Sequence, residues 1–154
     1  MDQVDLHDNG QVLWGQDLSG LALRPSLTAI RSDMQLHSLP YWADKTQLFS
    51  SRLPADESEF KEYVRCLLYP ARLIFTWQSG RLGGNDEAVA YLEQMVPSDV
   101  RLDMIRAALR CRHAELADAE LSHYRSALVS QYLATLQLLG LETAEPTLVL
   151  ENVA

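Results

Sequence analysis

Four carboxylates crowd a short stretch of this 154-residue chain: Asp56, Glu57, Glu59 and Glu62. Such a patch can receive the ammonium groups of a polycationic ligand. It can equally offset the positive end of a helix that starts there and keep the surface solvated. Upstream, the run Pro40-Tyr41-Trp42-Ala43-Asp44 sets an aromatic ring close to an acid. A ring supplies a flat apolar face and a carboxylate takes an ammonium, the pairing that grips an amine-bearing sugar. The candidate substrate-binding residues are therefore Asp56, Glu57, Glu59, Glu62 and Trp42, with Trp42 expected to be exposed where a loop leads into a helix. Trp14 and Trp77 read as packing residues.

Other chemistry-bearing residues do not converge. Asp2, Asp5 and Asp8 fall on a segment expected to be extended or irregular, where alternation would scatter them. His7, His37, His113 and His123 have no Ser or Cys partner at a recognisable spacing, so no catalytic triad follows. Arg31 with His37, and Arg106 with His113, loosely resemble the Arg-and-His spacing of the helical nucleases called HEPN domains, but the acidic charge argues against an RNA cleft. Gly80-Arg81-Leu82-Gly83-Gly84 has the glycines of a phosphate loop, yet it follows a helix and lacks Lys-Ser/Thr; a helix-to-helix turn explains it. Cys66 and Cys111 lie in helical patterns as reduced, buried thiols, and no Cys/His cluster has zinc spacing. No catalytic residue and no metal site are expected in this chain.

The elements that must position these side chains are mainly helical. With 47% apolar and 22% charged residues the composition is that of one globular domain. A formal charge of -8, from 21 acidic and 13 basic residues, repels phosphate backbones and anionic membrane surfaces, so neither nucleic acid nor membrane is an expected partner. Asp2, Asp5 and Asp8 exclude a signal peptide near the amino terminus, and the reduced cysteines point to the cytoplasm. Gln11-Val12-Leu13-Trp14, between Asn9-Gly10 and Gly15, reads as a short extended run that needs a neighbouring strand. Ser26 caps a helix running to about His37, Leu39-Pro40 breaks it, and Tyr41 to Arg52 forms another. Phe60, Tyr63, Val64, Leu67, Leu68, Ala71, Ile74 and Trp77 then define one apolar face; Pro70 should kink this helix, and Gly80 stops it. Asn85 caps the next helix, which buries Ala88, Tyr91, Leu92, Met95 and Val96. Beyond Pro97-Ser98 come a helix with Leu102, Ile105 and Leu109, and a last one from Leu121 to Leu139 ending at Gly140. The expected fold is all-α, an antiparallel bundle of about five helices with a short N-terminal extended segment. It divides into a leader over 1–24, a helical domain over 25–141 and a tail over 142–154.

The stretch Arg72-Leu-Ile-Phe-Thr-Trp-Gln-Ser79-Gly80-Arg-Leu82, followed by Asp86-Glu87-Ala88-Val-Ala90-Tyr91-Leu and Val96-Pro97, resembles the helical carboxy-terminal domain of the streptomycin/spectinomycin aminoglycoside adenylyltransferases and related nucleotidyltransferases. The likeness covers roughly residues 60–140, and its anchors are caps and core positions. It implies that Leu6 to Gly15 is the last strand of a nucleotidyltransferase sheet, with a catalytic half ahead of it. That half carries a Gly-Ser turn and an Asp-x-Asp pair holding nucleotide phosphates through magnesium; neither pattern occurs in this chain. Two departures stand out. The family's turn supplies a Lys where this chain has Gly84-Asn85, and the family's drug-contacting Trp has no aligned counterpart beside Asp56 and Glu57.

The resemblance thus implies an acceptor-substrate-binding domain, not catalytic by itself, of an enzyme moving AMP from ATP to a hydroxyl of a small molecule such as an aminoglycoside. ATP and magnesium are expected only with the missing domain, in cis or in trans. The other expectation is a stand-alone helical interaction module that pairs with a separate nucleotidyltransferase or a toxin–antitoxin mate through the Trp14 edge, with a homo-oligomer or a cationic small molecule as further partners.

Overall fold

The structure is a computed structural model that describes residues 2–12, 14–15, 23–95, 97, 99–113 and 118–141. The expected tail over 142–154 and residues 16–22 of the leader lie outside the described residues. The described chain is all-helical: α1 (Asp2–Asn9), α2 (Leu27–Asp33), a π-helical turn (Met34–Ser38), α3 (Leu39–Ser51), α4 (Glu57–Ser79), α5 (Asn85–Met95), α6 (Leu102–Arg112), a 3-10 helix (Asp118–Ala127) and α7 (Leu128–Leu138). The all-α bundle expected from the sequence is the fold.

Helix α4 is the central element and packs on α5, α6, α7 and α3. Its apolar face is the one the periodicity selects: Tyr63, Val64, Leu67, Leu68, Ala71, Ile74 and Trp77 are all buried, joined by Leu73 and Phe75. With so many side chains buried around its girth, α4 stays helical through Pro70, where one amide donor is lost. It ends at Gly80, whose φ of 67° lies in the left-handed region where a Cβ is costly. Two arginines seal that end. Arg31 Nε donates to the Trp77 carbonyl at 2.9 Å, and Arg24 donates to the Gly80 carbonyl at 2.9 Å. Cations there satisfy carbonyls that the helix leaves open and sit favourably against its dipole.

Four local expectations are corrected. Residues 2–9 form helix α1, and Gln11 and Val12 belong to no strand, so the N-terminal extended segment is not found among the described residues. Only Val4 and Leu6 are apolar in α1, too few for periodicity to mark a helix; Val4 nevertheless is 1% exposed and joins the common core. Leu39-Pro40 does not break the chain. The π turn carries it across, with Leu39 N–H reaching back five residues to the Met34 carbonyl, and the wider turn makes room for a proline that cannot donate. The last helix is two segments, the 3-10 helix and α7, which terminates with Gly140 at φ 70° and Leu141 N–H on the Leu136 carbonyl. Asn85 is the first residue of α5, and Gly84 supplies the carbonyl that opens it, a shift of one position.

Candidate functional site

The acidic patch comes first in the chain, and each of its members is already engaged. Asp56 is the N-cap of α4, accepting from Glu59 N–H at 2.9 Å. Glu59 reaches back to accept from Ala55 N–H at 2.7 Å, a reciprocal arrangement of the capping-box kind. It also takes both nitrogens of the Arg52 guanidinium, at 2.6 and 2.5 Å, and these bonds hold its carboxyl down at about 2. Because Arg52 closes the end of α3, this fork ties α3 to the start of α4. Glu57 pairs with Lys61 at 2.7 Å one turn on, and Glu62 pairs with Lys45 of α3 at 2.5 Å. The carboxylates therefore cap one helix and join two. A cleft of about 380 Å³ does open beside them, lined by Leu53, Pro54, Asp56, Glu57, Phe60 and Tyr63. Its walls are mostly apolar.

Trp42 is not the exposed loop ring expected from its sequence context. It sits inside α3, half-buried, stacked on Tyr69 of α4 with ring centroids 3.8 Å apart and crossed edge-on by Tyr41 at 5.0 Å. Its acidic neighbour in sequence, Asp44, is one of the side chains whose charge raises the Tyr132 phenol, though burial is the larger cause of that rise to about 12.

The Trp42–Tyr69 stack is one wall of a cleft of about 330 Å³ that is also lined by three arginines, Arg65 and Arg72 of α4 and Arg112 of α6, by Leu68, and by the neutral amide of Asn85 at the start of α5. Positions 65, 68, 69 and 72 fall on one stripe of α4, which is why two arginines and an aromatic share a face. Arg112 arrives from the last turn of α6, packed against α4. Arg65, Arg72 and Arg112 have no ion pair or hydrogen bond with the described residues, whereas Arg24, Arg31, Arg52, Arg81, Arg101 and Arg106 are all engaged. The dipole of α5 adds partial positive charge at Asn85, and the two acids of that first turn are turned to other partners: Asp86 to the His113 ring at 2.9 Å and Glu87 to Arg81 at 3.1 Å. A chain of net charge -8 thus brings three guanidinium groups, unpaired among the described residues, to one aromatic-walled cleft. Such a cleft can hold a multiply charged anion by bidentate hydrogen bonds and stack a flat ring beside it.

Sequence reasoning missed this cleft. Arg65 and Arg72 were visible as a helical pair seven apart, but Arg112 lies forty residues away, and only packing of α6 on α4 brings it in. A second cleft of about 470 Å³ continues past Arg65 and Arg112 to Lys61, Phe60, Val64 and Cys111. Cys111 is half-buried rather than buried; Cys66 is buried, and burial pushes its thiol up to about 11.

The remaining candidates stay apart. Arg106 pairs with Glu93 at 2.6 Å while His113 pairs with Asp86, so the Arg-and-His pair on α6 faces two different carboxylates of α5. Arg31 is bound to the Trp77 carbonyl, and His37 faces Asp33 at 4.0 Å. Among the described residues no three His, Cys, Asp or Glu side chains gather where a metal ion could sit, and no helix is long and apolar enough to cross a membrane. No known protein family, no curated protein and no solved structure matches this chain.

Proposed function

We propose that this chain is the helical ligand-binding domain of a nucleotidyltransferase, inert without its catalytic half, and that the Arg65–Arg72–Arg112 cleft holds the phosphates of the nucleotide. The observation that carries the reading is the set of three guanidinium groups around one cleft, none of them with an ion pair or hydrogen bond among the described residues. Adenylyl transfer leaves pyrophosphate, and fixed cations lower the cost of the charge that gathers on it. Arg72 belongs to the stretch that resembles the adenylyltransferases. Asn85 stands where that family supplies a lysine, and it lines the same cleft, so Arg112 from α6 brings the positive charge that Asn85 lacks. The missing half would provide the Asp-x-Asp carboxylates and the magnesium they hold. A cationic acceptor such as an aminoglycoside would have to compete with Arg52, Lys45 and Lys61 for the carboxylates of the acidic patch.

Calorimetric titration of the purified chain with pyrophosphate in the absence of magnesium tests the cleft. The expected dissociation constant is about 1 mM or tighter at low salt, weakening as salt screens the contacts. Arg72→Ala should weaken it roughly tenfold, the low end for losing a charge-assisted contact. Arg110→Ala, exposed on α6 and outside the cleft, should leave it unchanged. Equal losses in both variants would reduce the attraction to a diffuse field and sink the site. The family is tested separately: an upstream or neighbouring reading frame with no Gly-Ser and Asp-x-Asp patterns argues against a nucleotidyltransferase, whatever the cleft binds.

The second reading, a stand-alone interaction module, is favoured by one observation. Trp14 is 96% exposed and Leu23 89% exposed, an unusual presentation of large apolar side chains. Size-exclusion chromatography of the wild type beside Trp14→Ser distinguishes the two: an oligomer that dissociates in the variant supports the module.

A further inference from the structure

Gln131 of α7 is 2% exposed, and its amide is only half satisfied. Its Oε1 accepts from Arg101 N–H at 2.8 Å, just ahead of α6, which settles which end of the amide is oxygen. The other end, Nε2, is buried and meets no acceptor among the described residues. Beside it lies a small internal cavity between α3, α4 and α7, whose lining includes Thr46, Cys66, Tyr69, Pro70, Gln131 and Tyr132.

Two further polar groups belong to residues on that cavity. Pro70 has no N–H, so the Cys66 carbonyl, four residues back, loses the donor that a regular helix would give it. The buried Thr46 hydroxyl has, among the described residues, only a long contact with Cys66 Sγ, at 3.5 Å. Tyr132 is unavailable as an acceptor-seeking donor, because its hydroxyl donates to the Leu39 carbonyl at 2.8 Å. The space open to the centre of a water molecule is about 10 Å³, room for one water and nothing larger.

We infer that one ordered internal water occupies this cavity, accepting from Gln131 Nε2 and donating to the Cys66 carbonyl or to Thr46 Oγ1. A water so placed joins α7 to α4 and α3 behind the Trp42–Tyr69 stack, since both rings also line the cavity. It accounts together for a proline inside a long helix and a glutamine inside an apolar core. The inference stands whether or not the arginine cleft holds phosphate.

A high-resolution crystal structure of the full chain tests it. The expected result is a solvent peak at about 2.7–3.2 Å from Gln131 Nε2 and from a second polar atom of Cys66 or Thr46. In solution, cross-relaxation between a long-lived water and the Gln131 side-chain amide protons should appear in the wild type. Pro70→Ala with Thr46→Val, which returns an amide to the Cys66 carbonyl and removes the hydroxyl, should weaken or remove that signal while the fold persists. A dry cavity, or Nε2 bonded directly to a protein acceptor, overturns the inference.

Discussion

Helix α4 carries two charged regions that look alike in kind and differ in use. Its first two turns hold Glu57, Glu59 and Glu62 beside the Asp56 cap, and every one of these carboxylates has a cation or an amide within 3 Å. Its next turns hold Arg65 and Arg72, which meet Arg112 across a cleft and have no such partner among the described residues. The dense acidic run is a joint between α3 and α4. The scattered arginines are the exposed chemistry. Charge density along a sequence therefore indicates little about which charges are free for a ligand; the partners that quench them are placed by the fold.

The largest effect separating the two regions is expected in anion binding. Arg65 and Arg72 lie two helical turns apart on one stripe of α4, about 10.5 Å along the axis. Arg65→Ala with Arg72→Ala should cost roughly 100-fold in pyrophosphate affinity, about 2.7 kcal/mol, measured by calorimetry. The melting temperature should hardly move, because neither side chain has an ion pair or hydrogen bond to lose among the described residues. A large drop in melting temperature would place these arginines with the acidic patch as structural, and the comparison would fail.

The converse variant is Asp56→Ala. Loss of the N-cap should cost about 1 kcal/mol, a fall of about 2–4 °C for a chain of this size, read by calorimetry or circular dichroism. Pyrophosphate affinity should stay at the wild-type value. If binding weakened while stability held, the patch would be contributing to the ligand site after all.

How far the sequence revealed this depends on what each feature rests upon. Helix α4, its apolar face and the Gly80 stop follow from spacing and capping chemistry, which are local, and the structure has them as read. Ser26 caps α2 by accepting from Ala29 N–H, again as a local rule requires. What escaped was set by distant partners. Among the described side chains of α1 only Val4 is buried, and its Asp8 is bound to Arg24, sixteen residues on, which also donates to Gly80. Trp42 looked exposed because Pro40 to Asp44 reads as a loop leading into a helix, while in the fold its ring stacks on Tyr69. The candidate site suffered most, since an ion pair between Glu59 and Arg52 cancels a charge that reads as available, and Arg112 joins the cleft only through tertiary packing.

The smallest expected effect concerns acid. In the fold the Glu59 carboxyl is held at about 2, against an ordinary value of 4.5, by the Arg52 fork first and the Ala55 amide second. A carboxyl lowered on folding stabilises the native state fully above its unfolded value, and that contribution disappears as pH falls from about 4.5 through about 2. The stability of the wild type should therefore decline across that window, with Glu59 as one contributor beside Asp8, which Arg24 and then His7 hold at about 2 as well. Glu59→Gln should start from lower stability at neutral pH and lose less of it on acidification, so the two curves converge toward pH 2. Asp8 is exposed and Glu59 only half-buried, so water screens their contacts and the difference in slope should be slight. Parallel curves from denaturant titrations across that range would mean that the Arg52–Glu59 fork does not persist in solution, and Glu59 would then be open to a cationic ligand.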